Sequence, residues 1–195
     1  MKIILGPYYT TKKFNEKLPE PKVYKHSNFF YILMKITFIT TGGTIDKDYQ
    51  KPTKGYGFEI TDPAVDRILK RINPSFEYEI ILLLKKDSLD LTDGDREMIL
   101  EACQNTSAEK IIISHGTDTM HLTGKKLSEI SEKVIIITGA TRPQRFADSD
   151  ADFNLGCAIG AINILDNGIY ISMHGRIFPW DKCKRDEESG RFEGI

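Results

Sequence analysis

From Lys35 onward the chain alternates short apolar runs with longer stretches in which apolar and polar residues recur at helical spacing. The runs are too short and too rich in β-branched residues to be helices. They predict five strands: Lys35 to Thr40, Tyr78 to Leu84, Lys110 to Ser114, Val134 to Thr138 and Ile169 to Met173. Each reads as apolar on both faces, as a parallel strand covered by helices on either side should be. The amphipathic stretches between them predict four helices, roughly Pro63 to Ile72, Gly94 to Gln104, Thr119 to Ser131 and Asp152 to Leu165. Such regular alternation predicts a single α/β domain on a doubly wound, mostly parallel sheet of Rossmann or flavodoxin type, with helices on both faces. In the fourth helix Gly156, Ala158, Gly160 and Ala161 present little bulk, which predicts close packing against the sheet.

Residues 1–33 break from this pattern. Pro7, Pro19 and Pro21 interrupt them, Lys and Tyr are frequent, and no helix or strand period persists. The segment reads as a loosely ordered N-terminal extension, with the domain running from Met34 to Ile195. One connection is long: residues 45–61 carry Lys47, Lys51, Pro52, Lys54, Gly55 and Gly57 without a period. A structureless loop of that size is either a lid or binding loop, or a plain surface excursion.

Composition narrows the function classes. A chain of 195 residues, 40% of them hydrophobic, is long enough for one sizeable core. Its 27 basic and 28 acidic residues are mixed along the whole length, so no face is built to attract nucleic acid or an anionic membrane. Cys103, Cys157 and Cys183 are far apart, odd in number and without metal-ligand spacing, which fits a reduced, cytoplasmic protein and gives no support for zinc. The apolar runs Ile3 to Leu5 and Phe29 to Leu33 are too short for a signal sequence or a membrane span.

The chemistry gathers where the predicted strands end, the edge at which an open parallel sheet holds its ligand. Strand one runs into Thr41-Gly42-Gly43-Thr44, strand two into Ser88 and Asp90, and strand three into His115-Gly116-Thr117-Asp118-Thr119. Strand four ends in Gly139-Ala140-Thr141-Arg142-Pro143, and strand five leads to a basic stretch with Lys182, Lys184 and Arg185. Each has a plain reading: the glycines as a turn, Ser88 and Asp90 as turn residues, Thr117 or Asp118 as a helix cap. Together they supply what a hydroxyl nucleophile needs, namely a nearby proton acceptor and donors for an oxyanion. The dinucleotide fingerprint, the phosphate loop and the serine elbow are absent. Asp148, Asp150 and Asp152 alternate like a calcium loop, but Phe153 and Ile159 stand where that loop needs Gly and Glu. His115 and His121 are not spaced as a metal pair on one helix face and read as structural.

These motifs resemble the bacterial-type L-asparaginase and glutaminase family of threonine amidohydrolases. Thr41-Gly42-Gly43-Thr44-Ile45 is similar to its first signature and His115-Gly116-Thr117-Asp118-Thr119-Met120 to its second. Gly139 to Pro143 and Asp152-Phe153-Asn154-Leu155 are similar to the segment that follows, so the likeness runs from about Lys35 to the C-terminus. It implies a cofactor-free and metal-free amidase with Thr44 as nucleophile, and with Tyr56 in the long loop as its hydroxyl partner or Tyr49 as the rival. Thr117, Asp118 and a lysine form the second catalytic group. The Asp-x-x-Lys spacing from Asp181 selects Lys184, whereas a gapless count from Met173 lands on Arg185, and Lys182 lies close by. Gly43, Ser88, Gly116 and Ala140 are then the substrate-binding positions. The substrate implied is L-asparagine or a related small amide, and the assembly a homodimer or higher homo-oligomer. Family members carry a second, smaller C-terminal domain, and this chain reaches Ile195 where the linker to it is expected. Two other readings stay open: an aspartate- or asparagine-binding module without turnover, and an amidase component of a larger amidotransferase.

Overall fold

The computed structural model describes residues 35–49 and 58–195, so the segment 1–33, Met34 and Tyr56 lie outside the described residues. Among the described residues ten strands and four helices follow in chain order. They are β1 (Lys35–Gly42), β2 (Lys47–Tyr49), β3 (Phe58–Ile60), α1 (Ala64–Ile72), β4 (Glu77–Lys86), α2 (Asp93–Asn105), β5 (Lys110–Ser114), α3 (Met120–Leu127), β6 (Val134–Thr138), α4 (Ala151–Ala161), β7 (Gly168–Met173), β8 (Arg176–Pro179), β9 (Cys183–Arg185) and β10 (Phe192–Gly194).

Strand parity builds the core. In β1, β5, β6 and β7, Ile39, Ile111, Ile113, Ile135, Ile137, Ile169 and Ile171 face one layer, packed with Ile99 and Leu100 of α2 and Leu127 of α3. The alternate positions Ile36, Phe38, Ile112, Val134 and Ile136 face the other, against Val65 and Leu69 of α1 and Leu155 and Ala158 of α4. Successive side chains of a strand point to opposite faces, so continuous apolar runs are what two helical layers require.

The main sheet has the order β4-β1-β5-β6-β7-β8. Its first five strands are parallel, and β8 turns back antiparallel on β7. The doubly wound expectation therefore holds, with two corrections at the edges. The first concerns β4, which is an edge strand rather than one buried on both faces: Leu82 is 62% exposed. Secondly, β8 adds an antiparallel strand that no apolar run announces.

The described parts of the long connection are not structureless either. A 3-10 turn at Thr44–Asp46 leads into β2, which pairs antiparallel with β3. Close sheet packing does not explain the glycines of α4, because a Cβ added at Gly156 or Gly160 meets nothing within 4 Å. Both glycines face outward.

Candidate active site

In the parallel part of the sheet the strand order reverses between β1 and β5, the switch point at which such sheets leave a crevice. Three chain segments close that crevice through contacts only glycine permits. Gly42 and Gly43 leave β1 at φ 100° and 84°, and the Gly43 amide donates to the Lys86 carbonyl at the end of β4, 3.0 Å away. A Cβ on Gly43 would lie 2.5 Å from the Gly116 nitrogen, and one on Gly116 would lie 2.7 Å from Ser88 Oγ. After each of β1, β4 and β5 comes a single 3-10 turn, and Thr44, Ser88 and Thr117 are the first residues of the three. The expected nucleophile and the expected second hydroxyl thus each follow a glycine, and the two glycines touch.

Thr44 is half-buried and Thr117 buried. Asp118 sits between two donors: Ser88 Oγ reaches its Oδ2 at 3.4 Å, and Arg185 Nη1 reaches its Oδ1 at 2.5 Å. Thr119 Oγ1 donates to the Ser88 carbonyl at 2.8 Å and ties the second turn to the third. Lys184, which the Asp-x-x-Lys spacing selects, is exposed on β9, and the ion pair to Asp118 belongs to its neighbour Arg185. A cavity of about 580 Å³ opens beside this pair, lined by Asp118, His121, Trp180, Lys184, Arg185 and Glu187. Tyr49 lies on β2, half-exposed, its ring centroid 4.3 Å from that of Phe58.

Buried polar residues frame the crevice. His115 is fully buried, with Nδ1 2.7 Å from the Gly116 carbonyl and Nε2 2.8 Å from Thr123 Oγ1. Burial pushes its pKa down to about 4, so at neutral pH it is an uncharged strut, in line with a structural role. Asn154 of α4 donates to the Gly139 carbonyl and accepts the His174 amide, both at 3.0 Å, which fixes the exits of β6 and β7. Asp150 accepts the backbone amides of Thr141 and Arg142 at 3.0 Å and so shapes the turn after the buried Ala140. Among the described residues no group of three His, Cys, Asp or Glu side chains is placed to hold a metal ion.

Asp46 is a residue the motif reading missed. It is 2% exposed and ends the turn that Thr44 begins. Its Oδ1 accepts the Ala64 amide at 2.7 Å, and its carbonyl accepts the Thr61 amide at 2.9 Å and the Thr61 hydroxyl at 3.0 Å. One residue thereby joins the expected nucleophile turn, the exit of the β2–β3 ribbon and the start of α1. The available signal is Pro63, which precedes α1 and caps no amide with its own side chain. Burial raises the Asp46 pKa to about 6, against the Ala64 amide and the more distant Arg67 and Lys85, which lower it.

The fold and the strand ends define a class: a doubly wound α/β domain with paired threonines, a serine and a carboxylate at its switch point. Residues 35–190 match the family described as Asparaginase, N-terminal, and the chain belongs to that family. Among its relatives, a Glutamyl-tRNA(Gln) amidotransferase component of Methanococcus vannielii is 34% identical over 151 residues, covering 74% of this chain and 35% of that protein. Glutaminase-asparaginase of Acinetobacter glutaminasificans is 26% identical over 155 residues, covering 73% of this chain and 47% of its own length. The thermostable L-asparaginase from Thermococcus kodakarensis superposes with a TM-score of 0.71 at 25% identity, over 83% of this chain and 51% of that one. The chain thus spans about a third of the length of the amidotransferase component and about half of the other two. Among the described residues no helix is long and apolar enough to cross a membrane.

Proposed function

We propose that the chain is an amidase that hydrolyses the side-chain amide of L-asparagine, or of a related small amide, through a threonyl ester. The observation that supports this reading is the contact of Gly43 with Gly116, the residues directly before Thr44 and Thr117. In this scheme the Thr44 hydroxyl attacks the amide carbonyl while its proton passes to a neighbouring hydroxyl, Tyr56 by position. Collapse of the tetrahedral adduct breaks the C–N bond, and the leaving nitrogen takes up a proton and departs as ammonia. Water then attacks the ester, managed by Thr117, Asp118 and the cation of β9, and restores the Thr44 hydroxyl. Backbone groups at Gly43, Gly116 and Ala140, with the Ser88 hydroxyl, position the substrate. Ammonia release from asparagine, glutamine and smaller amides tests the scheme against a Thr44→Ala variant. Equal rates for the two proteins reject it.

A second reading has its own support. The relatives named as components of Glutamyl-tRNA(Gln) amidotransferase are more similar in sequence than the glutaminase-asparaginase, 34% against 26% identical. In that reading the same amide hydrolysis serves a larger assembly, and affinity purification from the source cell recovers a stoichiometric partner. Self-assembly is supported by α4, which exposes Phe153 together with Gly156 and Gly160. Light scattering that finds only monomer removes that part of the proposal.

A further inference from the structure

The cation nearest Asp118 is set by strand parity. Cys183 is buried in the core, and residues two apart in a strand share a face, so Arg185 leaves β9 on the Cys183 face and Lys184 on the opposite one. Arg185 is also held from behind. It pairs across the ribbon with Phe192, itself buried in the core, and its Nε donates to the Gly190 carbonyl at 3.4 Å. The turn carrying Gly190 is closed by Asp186, which accepts the Ser189 amide at 2.7 Å and hydroxyl at 2.6 Å. With Ser88 on the other carboxylate oxygen, Asp118 is clamped from two chain segments.

We propose that Arg185 is the positioning residue of the second catalytic group: it aims Asp118 at the crevice and supplies there a cation that keeps its proton. The proposal rests on the amidase reading of the site. A guanidinium stays charged throughout the working pH range, whereas an amine gives up its proton near about pH 10.4. The site therefore operates beside a fixed charge, and the proton of the attacking water leaves by another acceptor. The other charged or titratable groups sharing the cavity are His121 from α3, Asp181 before β9, Cys183 and Lys184 on β9 and Glu187 after it.

The test compares Arg185→Gln, Arg185→Lys and Lys184→Ala, together with Asp118→Asn and the Asp118→Asn/Arg185→Gln double variant. Arg185→Gln is expected to lower kcat by about tenfold or more with a smaller change in KM, the pattern of a residue that acts in the transition state. Arg185→Lys is expected to recover most of that loss and to add a limb on the alkaline side of the pH–rate profile that wild type lacks. The proposal is overturned if Arg185→Gln keeps wild-type kcat, if Arg185→Lys is no better than Arg185→Gln, or if Lys184→Ala loses more than Arg185→Gln. Should wild type and Thr44→Ala release no ammonia from any amide, the amidase reading fails by itself. The Asp118–Arg185 cycle is then read in the thermal midpoint, where non-additive shifts support the clamp and additive shifts remove it.

Discussion

Gly43 and Gly116 meet backbone to backbone, so closely that a Cβ on the first would stand 2.5 Å from the nitrogen of the second. Gly43 holds φ 84° and ψ −175°, a region that side-chain-bearing residues essentially do not enter. Gly43→Ala therefore meets a steric conflict and a torsional one together. It is expected to lose about 1–3 kcal/mol of stability and, at temperatures where it stays folded, to lose ligand affinity out of proportion. Urea unfolding alongside aspartate calorimetry checks this, and a variant with wild-type affinity denies that the contact shapes the site.

Asp46 carries an ionisation cost inside the fold. Burial raises its pKa from 3.8 to about 6, so between those values the folded state binds a proton that the unfolded chain does not. The stabilising effect of protonation is fully present below pH 3.8 and is lost as pH rises through about 6. Asp46→Asn keeps an acceptor for the Ala64 amide without the charge. It is expected to be more stable than wild type at pH 7.5 by on the order of 1–3 kcal/mol and to gain nothing at pH 4. Denaturant midpoints at the two pH values decide, and a gain of equal size at both removes the electrostatic explanation.

Asn154, itself buried, answers two backbone groups, the buried Gly139 carbonyl and the partly buried His174 amide. Asn154→Leu leaves both without their partner, at about 1–3 kcal/mol for each unsatisfied group. Asn154→Asp returns the acceptor for His174 but sets a buried carboxylate against the Gly139 carbonyl and against Asp150, whose Oδ2 accepts the Asn154 side-chain amide at 2.9 Å, so at neutral pH it is expected to have a thermal midpoint no higher than that of Asn154→Leu. A midpoint for Asn154→Leu equal to wild type counts against this account.

How far the sequence discloses the fold depends on whether a feature is local. The Ile-rich runs of β5 and β6 announce themselves because both faces are buried, and each run already satisfies two helical layers. In β4 the run Ile80 to Leu84 looks the same, yet the strand lies at the edge. Edge position follows from strand order, which no single run encodes. The three-residue strands Lys47–Tyr49 and Phe58–Ile60 are too short to carry a period, so their ribbon reads as loop. At the site, Thr44, Ser88 and Thr117 are visible because they abut the runs, whereas the touching glycines depend on β1 and β5 being neighbours. Motif spacing points to Lys184, while parity from the buried Cys183 puts Arg185 on the Cys183 face of β9, where it pairs with Asp118. That second argument needs the burial of Cys183 as well as the recognition of β9 as a strand.

His115 sets the opposite pH dependence to Asp46, and together they shape the acid side of the stability curve. Burial lowers its pKa from 6.5 to about 4, so in that window the unfolded chain binds a proton that the folded state refuses. Its contribution is present above pH 6.5 and is lost as pH falls through about 4, at about 1.4 kcal/mol per pH unit. Between about pH 4 and pH 6 Asp46 gains on acidification what His115 loses, and the two slopes oppose each other. Removing one exposes the other. Asp46→Asn is expected to lose stability more steeply than wild type as pH drops from 6 to 4. His115→Gln, which lacks a titrating ring, is expected to lose less over that interval, from a lower starting stability because its bonds to Gly116 and Thr123 are disturbed. Urea unfolding at half-unit pH steps separates these outcomes, and parallel curves for wild type and both variants would show that neither group governs the acid limb.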